Sequence, residues 1–164
     1  MIYFAKEKEA ILIMVKFEYT FCDVDIFKGG VTGGFNVNFG NEDTWDDIEI
    51  ATINKHKKQK DKKYVPVTEE WLNKVCDFIS KQKQLKSLSS WIFKFAPQTT
   101  EHQIIVETDS WYREISVYNF GEFGRHHHPE YAEDEKILLE FFKKIQEFLL
   151  EVGVVLTFNK VRVI

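Results

Sequence analysis

The sequence predicts an α+β fold: a single, mostly antiparallel sheet of about six to seven strands, with two helices packed on one face. Three observations carry this. Apolar residues recur at every second position between 11 and 21, and again between 35 and 39, which is the period of a half-buried strand. Two separate segments change to the helical period instead. The strand-period segments come in runs joined by short turn-forming stretches, which favours hairpins. The order is therefore β-β-β-α-β-β-β-α-β, and helices that interrupt runs of hairpin-linked strands fit an α+β architecture.

The first strand sets Ile11, Ile13, Val15, Phe17, Tyr19 and Phe21 on one face, against Lys16, Glu18 and Thr20. Gly29, Gly30, Gly33 and Gly34 read as turn glycines. Phe35, Val37 and Phe39 then resume the alternation against Asn36 and Asn38. An acidic connection opens at Gly40 and Asn41, and a third strand runs through Ile48 and Ile50 to Ile53. The lysine-rich run from 55 to 63 reads as a solvated linker.

Thr68 is a suitable N-cap for the first helix, and Glu69 and Glu70 complement its dipole. Trp71, Leu72, Val75, Phe78 and Ile79 form its apolar stripe. Trp91, Phe93 and Phe95 then alternate until Pro97. Ile104 and Val106 mark the next strand, and a turn at Asp109 and Ser110 leads into a strand between 111 and 120. Pro129 and the acidic residues Glu130, Glu133, Asp134 and Glu135 suit the start of the second helix. Its stripe is Leu138, Phe141, Ile145, Phe148, Leu149 and Val152, and Gly153 stops it. Val154, Leu156 and Phe158 read as a closing strand. Residues 1–164 read as one domain, because the lysine run is too short to separate two and each half alone is too small.

Charge and cysteine usage exclude several classes. The net charge is −4, with 22 Lys and Arg against 26 Asp and Glu. A general attraction to nucleic acid or anionic lipid is not expected. Arg113, Arg125 and Arg162 are the sole arginines, few for gripping phosphate or guanine. Cys22 and Cys76 stand apart among apolar neighbours, as buried free thiols do. The short apolar run from 11 to 15 follows Lys6, Glu7, Lys8 and Glu9, which does not fit an export signal. No apolar run approaches the ~18 residues of a membrane span. The expected location is cytoplasmic.

Catalytic signals are weak. His126, His127 and His128 are the main candidate for metal, with His126 and His128 as ligands and Glu130, Asp134, His102 or His56 to complete a site. Their spacing matches no common metal motif, and a loop entering a helix after Gly121 and Gly124 explains them. Asp23-Val24-Asp25 is a D-x-D pattern without an identifiable third carboxylate. The glycine pairs lack the phosphate-loop pattern. No cofactor is expected.

Binding signals are stronger. Glu42, Asp43, Asp46, Asp47 and Glu49 surround Trp45, resembling an interface hot spot aimed at a basic partner. With 15 Phe, 6 Tyr and 4 Trp, aromatics exceed what the core needs, and Tyr112, Tyr118, Phe120 and Phe123 lie where some can face solvent. The expected function is a non-enzymatic protein-binding module. Its expected type is a small cytosolic stoichiometric inhibitor, like a bacterial immunity protein that neutralises a toxin. Glu42, Asp43, Trp45, Asp46, Asp47, Tyr112, Tyr118 and Phe123 are the expected contact residues. The partner would be another protein, such as a basic toxin or enzyme, and neither nucleic acid nor membrane; the chain itself would be a monomer or homodimer. Two alternatives are a metal-dependent hydrolase using the histidine segment and a homo-oligomeric structural protein that buries its aromatics against itself.

Overall fold

The computed structural model describes residues 14–25, 27–42, 46–92, 98–121 and 129–164. The elements are β1 (Val15–Asp25), β2 (Gly30–Gly40), β3 (Asp47–Ile53), β4 (Gln59–Pro66), α1 (Glu69–Ser80), β5 (Trp91–Ile92), β6 (Gln98–Thr108), β7 (Tyr112–Tyr118), α2 (Ala132–Glu151), β8 (Val154–Leu156) and β9 (Val161–Val163). Short 3-10 turns span Lys83–Ser87 and Pro129–Tyr131. Seven strands form one sheet in the order β4-β3-β2-β1-β6-β7-β5, and β8 and β9 pair separately. Neighbours in the large sheet are antiparallel, except that β5 runs parallel to β7. The fold is α+β, with two helices on one face of the sheet.

β1 is central and is paired along its length with β2 and β6. Its odd positions Val15, Phe17, Tyr19 and Phe21 are buried, so the alternation visible in the sequence is the alternation of the two sheet faces. Both helices cover the same face. Phe17 and Tyr19 meet Phe141 and Phe142 of α2 at centroid distances of 6.1 and 4.8 Å, and Phe39 meets Trp71 of α1 at 5.5 Å. Full burial of such a side chain contributes roughly 1.5–3 kcal/mol. The helices are also tied to each other, because the Trp71 indole N–H donates to the Phe148 carbonyl at 2.9 Å. At the start of α1 the Thr68 hydroxyl accepts from the Trp71 amide at 3.1 Å, the cap its residue type suggests.

Four local expectations are corrected. The lysine run is not a linker. Asn54 accepts from the amides of His56 and Lys58 at 2.9 and 3.1 Å, reversing the chain into β4. Residues 59–64 are all exposed, since this edge strand has one neighbour and needs no apolar alternation; lysines on an edge also discourage pairing with other sheets. Gly33 and Gly34 lie within β2, and a Cβ on Gly34 would overlap the Phe21 carbonyl, so glycine lets β1 and β2 close together. Trp91 is 57% exposed while Ile92 is buried, the reverse of the expected phase. Phe158 does not extend β8; its ring stacks on Phe142 and meets Phe120 edge-on, both at 5.1 Å. Phe120 is thus core and not a surplus surface aromatic.

Candidate functional site

The face of the sheet opposite the helices carries the even positions of β1, and polar side chains tile it. Asn36 of β2 is buried there. Its amide donates to the Glu18 carboxylate at 2.6 Å and to the Thr20 hydroxyl at 2.8 Å, and its oxygen accepts from the Asn38 amide at 2.8 Å. Asn38 also reaches Glu49 of β3 at 3.5 Å, and Lys62 of β4 stands 3.6 Å from the same oxygen. This chain crosses four strands and satisfies the one buried amide in it. It makes the open face a rigid surface whose side chains are already committed in direction.

Across β6 the surface becomes acidic and aromatic. Ile105 lies opposite Glu18 on one side and Glu114 on the other. Gln103 donates to one Glu114 oxygen at 2.6 Å, and the Tyr112 hydroxyl donates to the other at 3.1 Å. Glu107 lies directly opposite Tyr112 in the β6–β7 ladder. The Tyr112 hydroxyl is pushed above its usual range by desolvation first, then by its bond to Glu114 and by the charges of Glu114, Glu107 and Glu18. Carboxylates from three strands therefore act on one phenol. Trp91 packs edge-on against Tyr118 at 6.0 Å. Between Trp91 and Tyr112, which is 56% exposed, a cavity of about 480 Å3 opens at the sheet edge. It lies where β7 runs on past the two-residue β5, which pairs with Ser116 and Val117.

The expected contact residues divide into two groups. Tyr112 and Tyr118 share the open face, at its β7 edge. Glu42 is ion-paired with Lys16 at 2.5 Å. Asp46 is exposed and uses its carbonyl to accept from the Val67 amide at 2.9 Å, and Asp47 begins β3 opposite Pro66. Asp43, Trp45 and Phe123 lie outside the described residues, as do His126 and His128. Glu18, Gln103, Glu107, Glu114 and Trp91 complete the acidic and aromatic corner, and sequence reading did not select them. The available signal was that Glu18 occupies the polar phase of β1 and Glu114 the polar phase of β7.

Two other candidate features have structural roles. The Asp25 carboxylate accepts from the amides of Phe27 and Lys28 at 2.9 and 3.2 Å, turning the chain between β1 and β2. His102 is buried, with the Tyr19 hydroxyl 2.6 Å from Nδ1 and the Thr100 hydroxyl 2.8 Å from Nε2. Among the described residues, no group of three or more His, Cys, Asp or Glu is placed to hold a metal ion. Among the same residues, no helix is long and apolar enough to cross a membrane.

No protein-family model matches this chain, and a search of curated proteins finds no match.

Proposed function

We propose that this chain is a protein-binding module that docks a basic partner on the open face of its sheet, as an inhibitor of the immunity-protein type does to a cationic toxin. The observation that carries the reading is the exposed Tyr112, hydrogen-bonded to Glu114 and opposite Glu107, with Glu18 on the same face of β1 beyond β6 and the exposed Trp91 across the cavity. Aromatic anchors supply contact area at low entropic cost, and fixed carboxylates steer and select a cationic surface. Because the side chains of this face are held by one another, little ordering cost remains at docking.

Paired capture from the native source tests it, with wild-type protein and a Glu18→Lys, Glu114→Lys double variant as baits. A basic protein is retained by the wild type, is lost from the variant, and releases as salt rises. Added to that protein at one-to-one stoichiometry, the wild-type chain abolishes its activity. Equal retention by both baits, or retention of no basic protein, overturns the proposal.

A further inference from the structure

The cavity at the stepped edge of the sheet has the chemistry of a receptor for one side chain. We infer that it takes an arginine side chain of the partner, an assignment that rests on the docking reading above. Trp91 and Tyr112 present exposed rings at its border, and Glu114 and Ser116 also line it. A guanidinium suits these walls, since it stacks on aromatic faces and is more weakly hydrated than an ammonium.

The Glu114 carboxylate is preorganised for the guest. One oxygen already accepts from Gln103 and the other from Tyr112. Each keeps a lone pair, so a planar fork of two N–H donors can still be accepted. Glu107, opposite Tyr112, and Glu18, across Ile105 from Glu114, add negative charge on the same face. Arg113 also borders the cavity. Alternation along β7 turns its side chain to the helix-covered side, however, where the guanidinium donates to the Leu88 carbonyl. β7 therefore sends no cation to the open side, and Lys16 of β1, which lies opposite Glu107 there, is ion-paired with Glu42, so Glu18 and Glu114 leave the negative charge that a cationic guest needs.

The probe is the blocked peptide acetyl-Gly-Arg-Gly-amide, titrated into the full chain while the Trp91 indole N–H is followed by NMR. The Trp91→Phe variant assigns that signal. The arginine peptide produces a saturable shift with a Kd of about 30 mM, in keeping with one exposed cation–π contact and one ion pair. The isosteric citrulline peptide binds about tenfold more weakly or not at all, and so does the arginine peptide with Glu114→Gln, whose thermal midpoint stays at the wild-type value. The lysine peptide binds at least about threefold more weakly than the arginine one. Equal binding of arginine and citrulline, equal binding of arginine and lysine, or no shift of Trp91 each overturns the arginine assignment. The docking reading is tested separately by capture. If Glu18→Lys releases the partner while Glu114→Gln and Trp91→Ala do not, the arginine site falls and the docking face stands. If none of the three releases it, both fall.

Discussion

The Tyr19 hydroxyl lies 2.6 Å from Nδ1 of His102, and it donates to the Phe158 carbonyl at 2.7 Å. A phenol has one proton. With that proton on the Phe158 bond, Nδ1 of His102 must be the donor to Tyr19, and Nε2 accepts from the Thr100 hydroxyl in the neutral ring. Three consecutive bonds thus tie β1, β6 and the turn between β8 and β9 beneath the helices. Rings of Phe35 and Phe142 also lie within 6.0 and 4.8 Å of Tyr19, so few other routes to a hydrogen bond exist there.

Tyr19→Phe keeps the packing and removes the hydroxyl. It leaves a buried carbonyl and a buried ring N–H without their partner, a loss of about 1–3 kcal/mol. Urea unfolding should show a lower midpoint at an unchanged slope. A midpoint equal to that of the wild type would mean that the three-bond chain adds nothing to stability.

Alkaline pH should weaken the fold. Burial pushes the Cys76 thiol from 9.0 up to about 12 and raises Tyr19 well above 10.0. In both cases the folded state keeps a proton that the unfolded chain gives up. Stability is therefore full below about pH 8.5 and falls as pH rises through the unfolded value towards the folded one, with a slope approaching ~1.4 kcal/mol per pH unit for each group. The urea midpoint should be flat from pH 6 to 8 and decline from about pH 9. Cys76→Ala should lessen the early part of that decline, leaving the share of Cys22, whose thiol burial also raises, and an identical pH profile in the variant would rule out Cys76 as a source.

Gly121 marks where the terminal hairpin is locked down. Its φ is +73°, and a Cβ there would run into the Phe158 ring. Gly121→Ala should cost about 2–3 kcal/mol, combining left-handed backbone strain with displacement of that ring. Shrinking the ring should relieve the clash, so Gly121→Ala together with Phe158→Ala should destabilise by less than the two single effects added. Strict additivity in thermal or urea unfolding would show that the two residues do not oppose each other.

The parts of this fold that were legible in the sequence are those where one face is dry. β1 announces itself because Val15, Phe17, Tyr19 and Phe21 face the helices while Lys16, Glu18 and Thr20 do not, and the stripes of α1 and α2 follow the same logic. β4 did not announce itself, since residues 59–64 of this edge strand are all exposed and lysine is their commonest type, while Val65 near its end is only partly buried against the core. Trp91 misled for the opposite reason: a large apolar ring in strand-period sequence reads as core, yet β5 turns Ile92 inward. The acidic corner needed more than pattern. Glu18, Glu107 and Glu114 come from β1, β6 and β7, and their convergence on Tyr112 depends on strand order and register, which alternation alone does not specify.

β4 also supplies a test of why its composition is tolerated. Lys60 and Lys62 sit on the exposed outer strand, the first opposite Thr52 and the second near the Glu49 carboxylate. Neither buries apolar surface, so Lys60→Val with Lys62→Val should change the unfolding midpoint of the monomer little, within about 0.5 kcal/mol. The variant edge, however, carries two β-branched residues in place of charges, one on each face because of the bulge between the Thr52 and Ile50 pairs, and the second shares its face with Tyr64, which is 57% exposed. That is a template for pairing with another chain. Light scattering at rising protein concentration should show aggregation in the variant at concentrations where the wild type stays dispersed. If scattering is the same for both, the lysines do not guard this edge, and their density there has some other cause.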